Sequence, residues 1–227
     1  MEKSILMQLF RSDDFYMPLL TLLIYFLVNK SIKNNERILY YYLLINISFG
    51  LVTNVMGFYQ VNNLALYHFY TLFEQWFLSY YLLITIIKIK DTRVYWLINF
   101  GFTLFWIFNV FALEPLNSFN SNTSVISSLI ILLLCLYYIF ELSKSDDILY
   151  FQKSPSFWIV SGILFYSALS TLIFAVYKYY VLQNLVAEGI QIWSLMHFTI
   201  VIKYILISVG LLCYKKRTSS IQKVLLS

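Results

Sequence analysis

Leu64–Ile87 reads LALYHFYTLFEQWFLSYYLLITII, and Glu74 is the one residue in it with a full charge at neutral pH. A second stretch, Ile190–Tyr214, reads IQIWSLMHFTIVIKYILISVGLLCY and carries Lys203 in the same way. Apolar runs of this length match the ~20 residues a helix needs to cross roughly 30 Å of hydrocarbon. A charge near the middle of such a run costs roughly 2.5–3.5 kcal/mol on insertion scales, so it is expected to face protein or water rather than lipid. The two segments together predict membrane helices around a polar interior.

The rest of the chain reads the same way. Its 227 residues are 60% hydrophobic and only 12% charged, with a mean hydropathy of +0.73, values that belong to polytopic membrane proteins. Seven runs qualify as spans: Phe15–Val28, Arg37–Tyr59, Leu64–Ile87, Val94–Phe111, Thr123–Phe140, Ser156–Tyr177 and Ile190–Tyr214. The first is short and needs residues from Asn29 to Ile32, with Lys30 snorkelling, to reach full length. The expected fold is an all-α integral membrane bundle of seven transmembrane helices, residues 1–214, followed by a basic cytoplasmic tail, 215–227. Aqueous segments this short form no enzymatic or nucleotide-binding domain, so any cytoplasmic output is expected to pass through a partner protein. The first residues lack a cationic region with a small-residue cleavage site, so no removable signal peptide is expected.

Basic residues set the expected orientation. Alternate loops hold twelve Lys and Arg (Lys30, Lys33, Arg37; Lys88, Lys90, Arg93; Lys144, Lys153; and four in the tail) against three (Lys3, Arg11, Lys178). The richer set belongs in the cytoplasm, which puts the N-terminus outside and the C-terminus inside. The same residues, placed at span ends beside lipid headgroups, account for the net charge of +5 without nucleic acid. Two cysteines, Cys135 and Cys213, are too few for a disulfide framework or a Cys-rich metal site and read as small apolar fillers. Most of the 40 Tyr and Phe residues read as interface belts and helix packing.

Helical periodicity lines the polar residues into stripes. Tyr67, Tyr70, Thr71, Glu74 and Tyr81 share one face of the third span, Thr199, Lys203 and Gly210 one face of the seventh. Asn46, Gly50, Thr53, Asn54 and Gly57 form a polar, small-residue edge on the second. At a rise of ~1.5 Å per residue, Glu74 and Lys203 reach similar mid-depth, and they are expected to pair directly or through water. A neutral Glu74, kept protonated by desolvation, is the alternative. His68 and His197 lie in the outer thirds of the same spans, where interhelical hydrogen bonding is their ordinary role. No paired-histidine spacing accompanies them, so no metal is expected. This departs from the seven-helix hydrolases whose zinc sites resemble a three-histidine cluster.

Three local patterns carry a resemblance: N-N-x4-H-x-Y-x3-E at Asn62–Glu74, S-P-x-F-W-x2-S-G-x-L-x-Y at Ser154–Tyr166, and W-x3-H-x5-K at Trp193–Lys203. Together they resemble an uncharacterised group of small seven-span proteins of Bacteroidetes-type bacteria, which implies a bacterial inner-membrane location and brings no activity with it. Read bottom-up, Pro155 fits the first turn of a helix, and Phe157 with Trp158 anchor that turn at the interface. A lysine on the seventh span facing a carboxylate on the third also resembles rhodopsins, in which the lysine would carry retinal. The sequence departs from that pattern at Thr199, where the pumps carry Asp, and in the third and sixth spans. The expectation is therefore a receptor or sensor without a cofactor, whose pocket draws on Glu74, Lys203, His68, His197, Tyr70, Tyr67, Thr199, Asn46 and Asn54. It would bind a small molecule and signal through a cytoplasmic protein. A solute or ion transporter using the Glu/Lys pair is the alternative.

Overall fold

Each of the seven apolar segments forms a helix. They are α1 (Asp13–Val28), α2 (Ile38–Phe58), α3 (Leu64–Tyr80, continued by a π-helical stretch, Tyr81–Ile87), α4 (Arg93–Ala112), α5 (Asn122–Ser143), α6 (Pro155–Leu182) and α7 (Val186–Leu225). The structure is a computed structural model that describes residues 13–28, 32, 37–144, 151–183 and 185–225, with side chains throughout except at 181, 186–187 and 215–225. No strand occurs among the described residues. Lys3, Arg11, Lys30 and Lys33, used in the charge count, lie outside them. The segment expected as a tail begins as a continuation of α7, whose backbone runs on past Tyr214 to Leu225.

Five helices, α2, α4, α5, α6 and α7, are long and apolar enough to cross a membrane. α1 has 16 residues, about 24 Å of helix, and the α-helical part of α3 stops at 17. Large apolar side chains stand out from the bundle, with Leu97 at 75% and Phe111 at 87% exposure on α4. Such a surface is stable against acyl chains and would aggregate in water. It is the exterior of an integral membrane protein.

Packing arranges six helices in a ring. α1 lies against α2 and α7, α7 along α6, α6 on α5 and α5 on α3, while α4 stays outside, held to α3 and α5. α4 is fastened by Trp76 Nε1 donating to Thr103 Oγ1 (3.0 Å) and Ser79 Oγ donating to Asn99 Oδ1 (2.9 Å). α2 and α3 meet narrowly, and side chains bridge the space between them.

The two ends of the ring differ. Towards the opposite end from the 113–121 loop, Leu82, Ile159, Ile163, Ile207 and Leu211 are fully buried and fill the interior. Two glycines make that packing tight: a Cβ on Gly162 would come within 2.8 Å of the Lys203 carbonyl oxygen, and one on Gly210 within 2.6 Å of Ile159 Cγ1. Small residues at such crossings let helix backbones approach closely in lipid. Towards the 113–121 end the ring opens into a cavity.

Candidate functional site

The cavity follows from a set of rungs, one helical turn apart, between antiparallel α2 and α3. Tyr42 meets Glu74 and Asn46 meets Tyr70, while Phe49 stacks on Tyr70 with ring centroids 4.1 Å apart. One turn further, α1 crosses α2 at Gly50, where a Cβ would lie 2.8 Å from the Asp14 carbonyl oxygen. That contact brings the first turn of α1, and with it Asp14, to the cavity wall. An acidic first turn also suits the positive end of the helix dipole.

Lys203 forms the floor. Its Nζ lies 3.5 Å from Glu74 Oε1, donates to Tyr42 OH (3.2 Å), and sits 3.8 Å from the centroid of the Tyr166 ring. The side chain is 2% exposed and that of Glu74 is 13% exposed, the latter opening onto the cavity. Glu74 Oε1 also accepts from Tyr42 OH (2.9 Å), and Tyr70 OH lies 3.1 Å from it, its one proton shared with the shorter bond to Asn46 Oδ1 (2.6 Å). A mid-depth ion pair is thus wrapped in tyrosines that hydrogen-bond it and cover the ammonium with π faces, which offsets desolvation of both charges.

Above the floor is a cavity of about 220 Å³, far beyond the ~10–15 Å³ that one water requires. Its α5 wall is hydroxylic, from Ser124, Ser127 and Ser128, and its far end is aromatic. There Phe119 packs on Tyr177 (4.6 Å between centroids) and Trp193 (5.7 Å), with Phe174 behind them.

Phe119 belongs to the loop between α4 and α5, which folds into the bundle instead of standing in solvent. Glu114, 6% exposed, holds it there. Its carboxylate accepts from Ser121 Oγ, Lys178 Nζ (2.9 Å), the Asn122 backbone N–H (2.9 Å) and Asn109 Nδ2 (3.2 Å). Burial works to raise the Glu114 carboxyl, but the bonds from Ser121, Lys178, Asn122 and Asn109 together outweigh it and hold the group below its ordinary value. The loop is pinned a second time where His68 Nε2 and the Ser118 carbonyl oxygen lie 3.1 Å apart.

Of the residues expected at the pocket, Glu74, Lys203, Tyr70, Tyr67 and Asn46 line the cavity. His68 is buried beneath the loop. His197 faces α1, its Nδ1 2.6 Å from Asp13 Oδ1. Thr199 turns its hydroxyl to the Met196 carbonyl oxygen (2.8 Å), and Asn54 is exposed on the outer side of α2. These four border other parts of the fold. The sequence reading passed over Tyr42, Asp14 and Tyr166. Tyr42 lies four residues before Asn46, so its stripe announced it. Tyr166 closes one of the quoted motifs, and Asp14 stands immediately before the expected start of the first span at Phe15.

Comparison with protein-family models, with curated proteins and with solved structures gives no match to this chain.

Proposed function

We propose that the protein is a seven-span membrane receptor or sensor, N-terminus outside and C-terminus cytoplasmic, that takes a small molecule into the cavity above the Glu74–Lys203 pair. The cavity lies on the 113–121 side of the Glu74–Lys203 pair, while the opposite half of the ring is filled by buried aliphatic side chains. That one-sidedness carries the reading. A site confined to one end of the bundle and floored by a charge pair on two helices can bias the relative position of α3 and α7 when occupied, which is what a receptor needs. By the basic-residue count the cavity side is external and the filled half faces the cytoplasm, where the inner loops and the end of α7 would meet a signalling partner. The proposed setting is a bacterial inner membrane.

A photo-crosslinker placed in the 88–92 loop tests the reading. A receptor gives a discrete cytoplasmic adduct whose yield changes in Glu74→Gln. Absence of any adduct, together with Glu74-dependent solute uptake into proteoliposomes, would replace it with transport. The observation that favours transport is the charge pair at the junction of cavity and plug, where an inward opening would have to begin. Retinal on Lys203 would require the amine in its neutral form, with water released, and Glu74 would then stand as counter-ion to the protonated Schiff base. A visible band on adding retinal, lost in Lys203→Ala, would decide for it.

A further inference from the structure

The charges and hydrogen-bonding directions around the cavity specify its occupant, given the reading of the cavity as a binding site. Three ionisable groups of full charge border it, Asp14, Glu74 and Lys203. The Lys203 ammonium is engaged by Glu74 Oε1, Tyr42 OH and the Tyr166 ring. Glu74 gives only Oε1 to these contacts, and Oε2 takes no bond among the described residues. Asp14 likewise has no hydrogen bond or ion pair with a described side chain, and Lys203 and His197 influence it only through the field. His197 is itself matched by Asp13. Two carboxylates against one ammonium leave the cavity one negative charge in excess among the described residues.

The hydroxyls of the α5 wall and of α3 point the same way. Ser124 Oγ donates to the Asn120 carbonyl oxygen (2.7 Å), Ser127 Oγ to Gln75 Oε1 (2.9 Å) and Thr71 Oγ1 to the Tyr67 carbonyl oxygen (2.9 Å). Each hydroxyl has one proton, and these three are committed to the protein; Thr71 Oγ1 also accepts from Asn120 Nδ2 (2.8 Å), so the lone pairs left to the cavity are those of Ser124 and Ser127. Such a wall satisfies donors and repels carboxylates. Phe119, Phe174, Tyr177 and Trp193 line the far end of the cavity, and the negative quadrupole of an aromatic face attracts cations and not anions.

We propose that the cavity binds a small organic cation, an ammonium group carried on an apolar body, with Asp14 as its counter-ion, the α5 hydroxyls as acceptors and the aromatic far end around the body. An inorganic cation would leave the rings without a role, and an anion would meet Asp14 and Glu74 Oε2 with no free positive group among the described residues of the lining.

The test uses three probes of one shape, phenethylamine, 2-phenylethanol and phenylacetate, on the purified full chain, read by quenching of tryptophan fluorescence, Trp193 lying in the wall. Phenethylamine is expected to bind at least about tenfold more tightly than either of the others, as charge-assisted bonds do, with the preference lost in Asp14→Asn and weakened in Phe119→Leu. A second measurement guards against an Asp14 variant that fails to fold. In Ser128→Cys on a Cys213→Ser background, a trimethylammonium thiosulfonate should modify the cavity thiol faster than the sulfonate reagent of equal size, after correction for their rates with free cysteine. Equal rates, or equal affinity for the amine and the alcohol, would overturn the charge assignment while leaving the cavity a binding site. A thiol that neither reagent reaches, with no probe bound, would overturn both.

Discussion

Glu74 and Lys203 hold each other in place at the junction between cavity and plug, and neither is comfortable there alone. Removing one charge of a buried pair leaves the other uncompensated at a cost of about 3–5 kcal/mol, whereas removing both spares that penalty. Glu74→Gln and Lys203→Met should each lower resistance to unfolding in micelles by that order. The double variant should cost clearly less than their sum, by about 1 kcal/mol or more. Strict additivity would mean the 3.5 Å approach carries no coupling. The sequence made this pair legible because a charge among two dozen apolar residues has few places to go. It could not reveal Asp14, since a carboxylate at the start of a span looks like ordinary polar flanking until the crossing at Gly50 is known.

The elements divide into those fixed by their own composition and those fixed by their neighbours. Helix positions could be read from apolar runs, and each of the seven predicted segments lies on a helix. The 113–121 loop could not. A stretch without basic residues reads as an exposed connection, and only Glu114, meeting Asn109, Ser121, Asn122 and Lys178, shows that it folds in along the far end of the cavity. Because the folded-state Glu114 carboxyl is held below its ordinary value, its contribution is present above the unfolded-chain value of about 4.3 and is lost as the pH falls through the folded value. The melting-temperature gap between wild type and Glu114→Gln should therefore be widest near neutrality and close under acid. A gap that widens on acidification would contradict the assignment. Helix crossings make a separate prediction. Gly210→Ala places a methyl 2.6 Å from Ile159 Cγ1 and 2.8 Å from the Pro155 carbonyl oxygen, so it should cost about 1–3 kcal/mol by forcing α6 and α7 apart. Gly57→Ala, which meets nothing within 4 Å, should be stabilising by about 0.5–1 kcal/mol. Thermal melts of the two variants side by side would check the contrast.

For the whole molecule, function turns on the asymmetry between a cavity at one end of the ring and packed aliphatic side chains at the other. Composition could announce a membrane bundle with a polar interior, but periodicity gives only the face on which a residue lies. Which faces meet depends on the ring order, and the ring order leaves α4 out. His68, His197 and Thr199 show the consequence: each is polar, at the expected depth and on a cavity-lining helix, yet His68 turns to the 113–121 loop, His197 to α1 and Thr199 back to Met196 on its own helix. The most direct measurement is the sidedness of the Ser128→Cys thiol, in the Cys213→Ser background, towards a membrane-impermeant thiosulfonate. Reaction in intact cells or right-side-out vesicles, blocked in inverted ones, is the result predicted by a cavity on the outer side and a sealed cytoplasmic half. Modification from the cytoplasmic face alone, or equally from both faces, would contradict it.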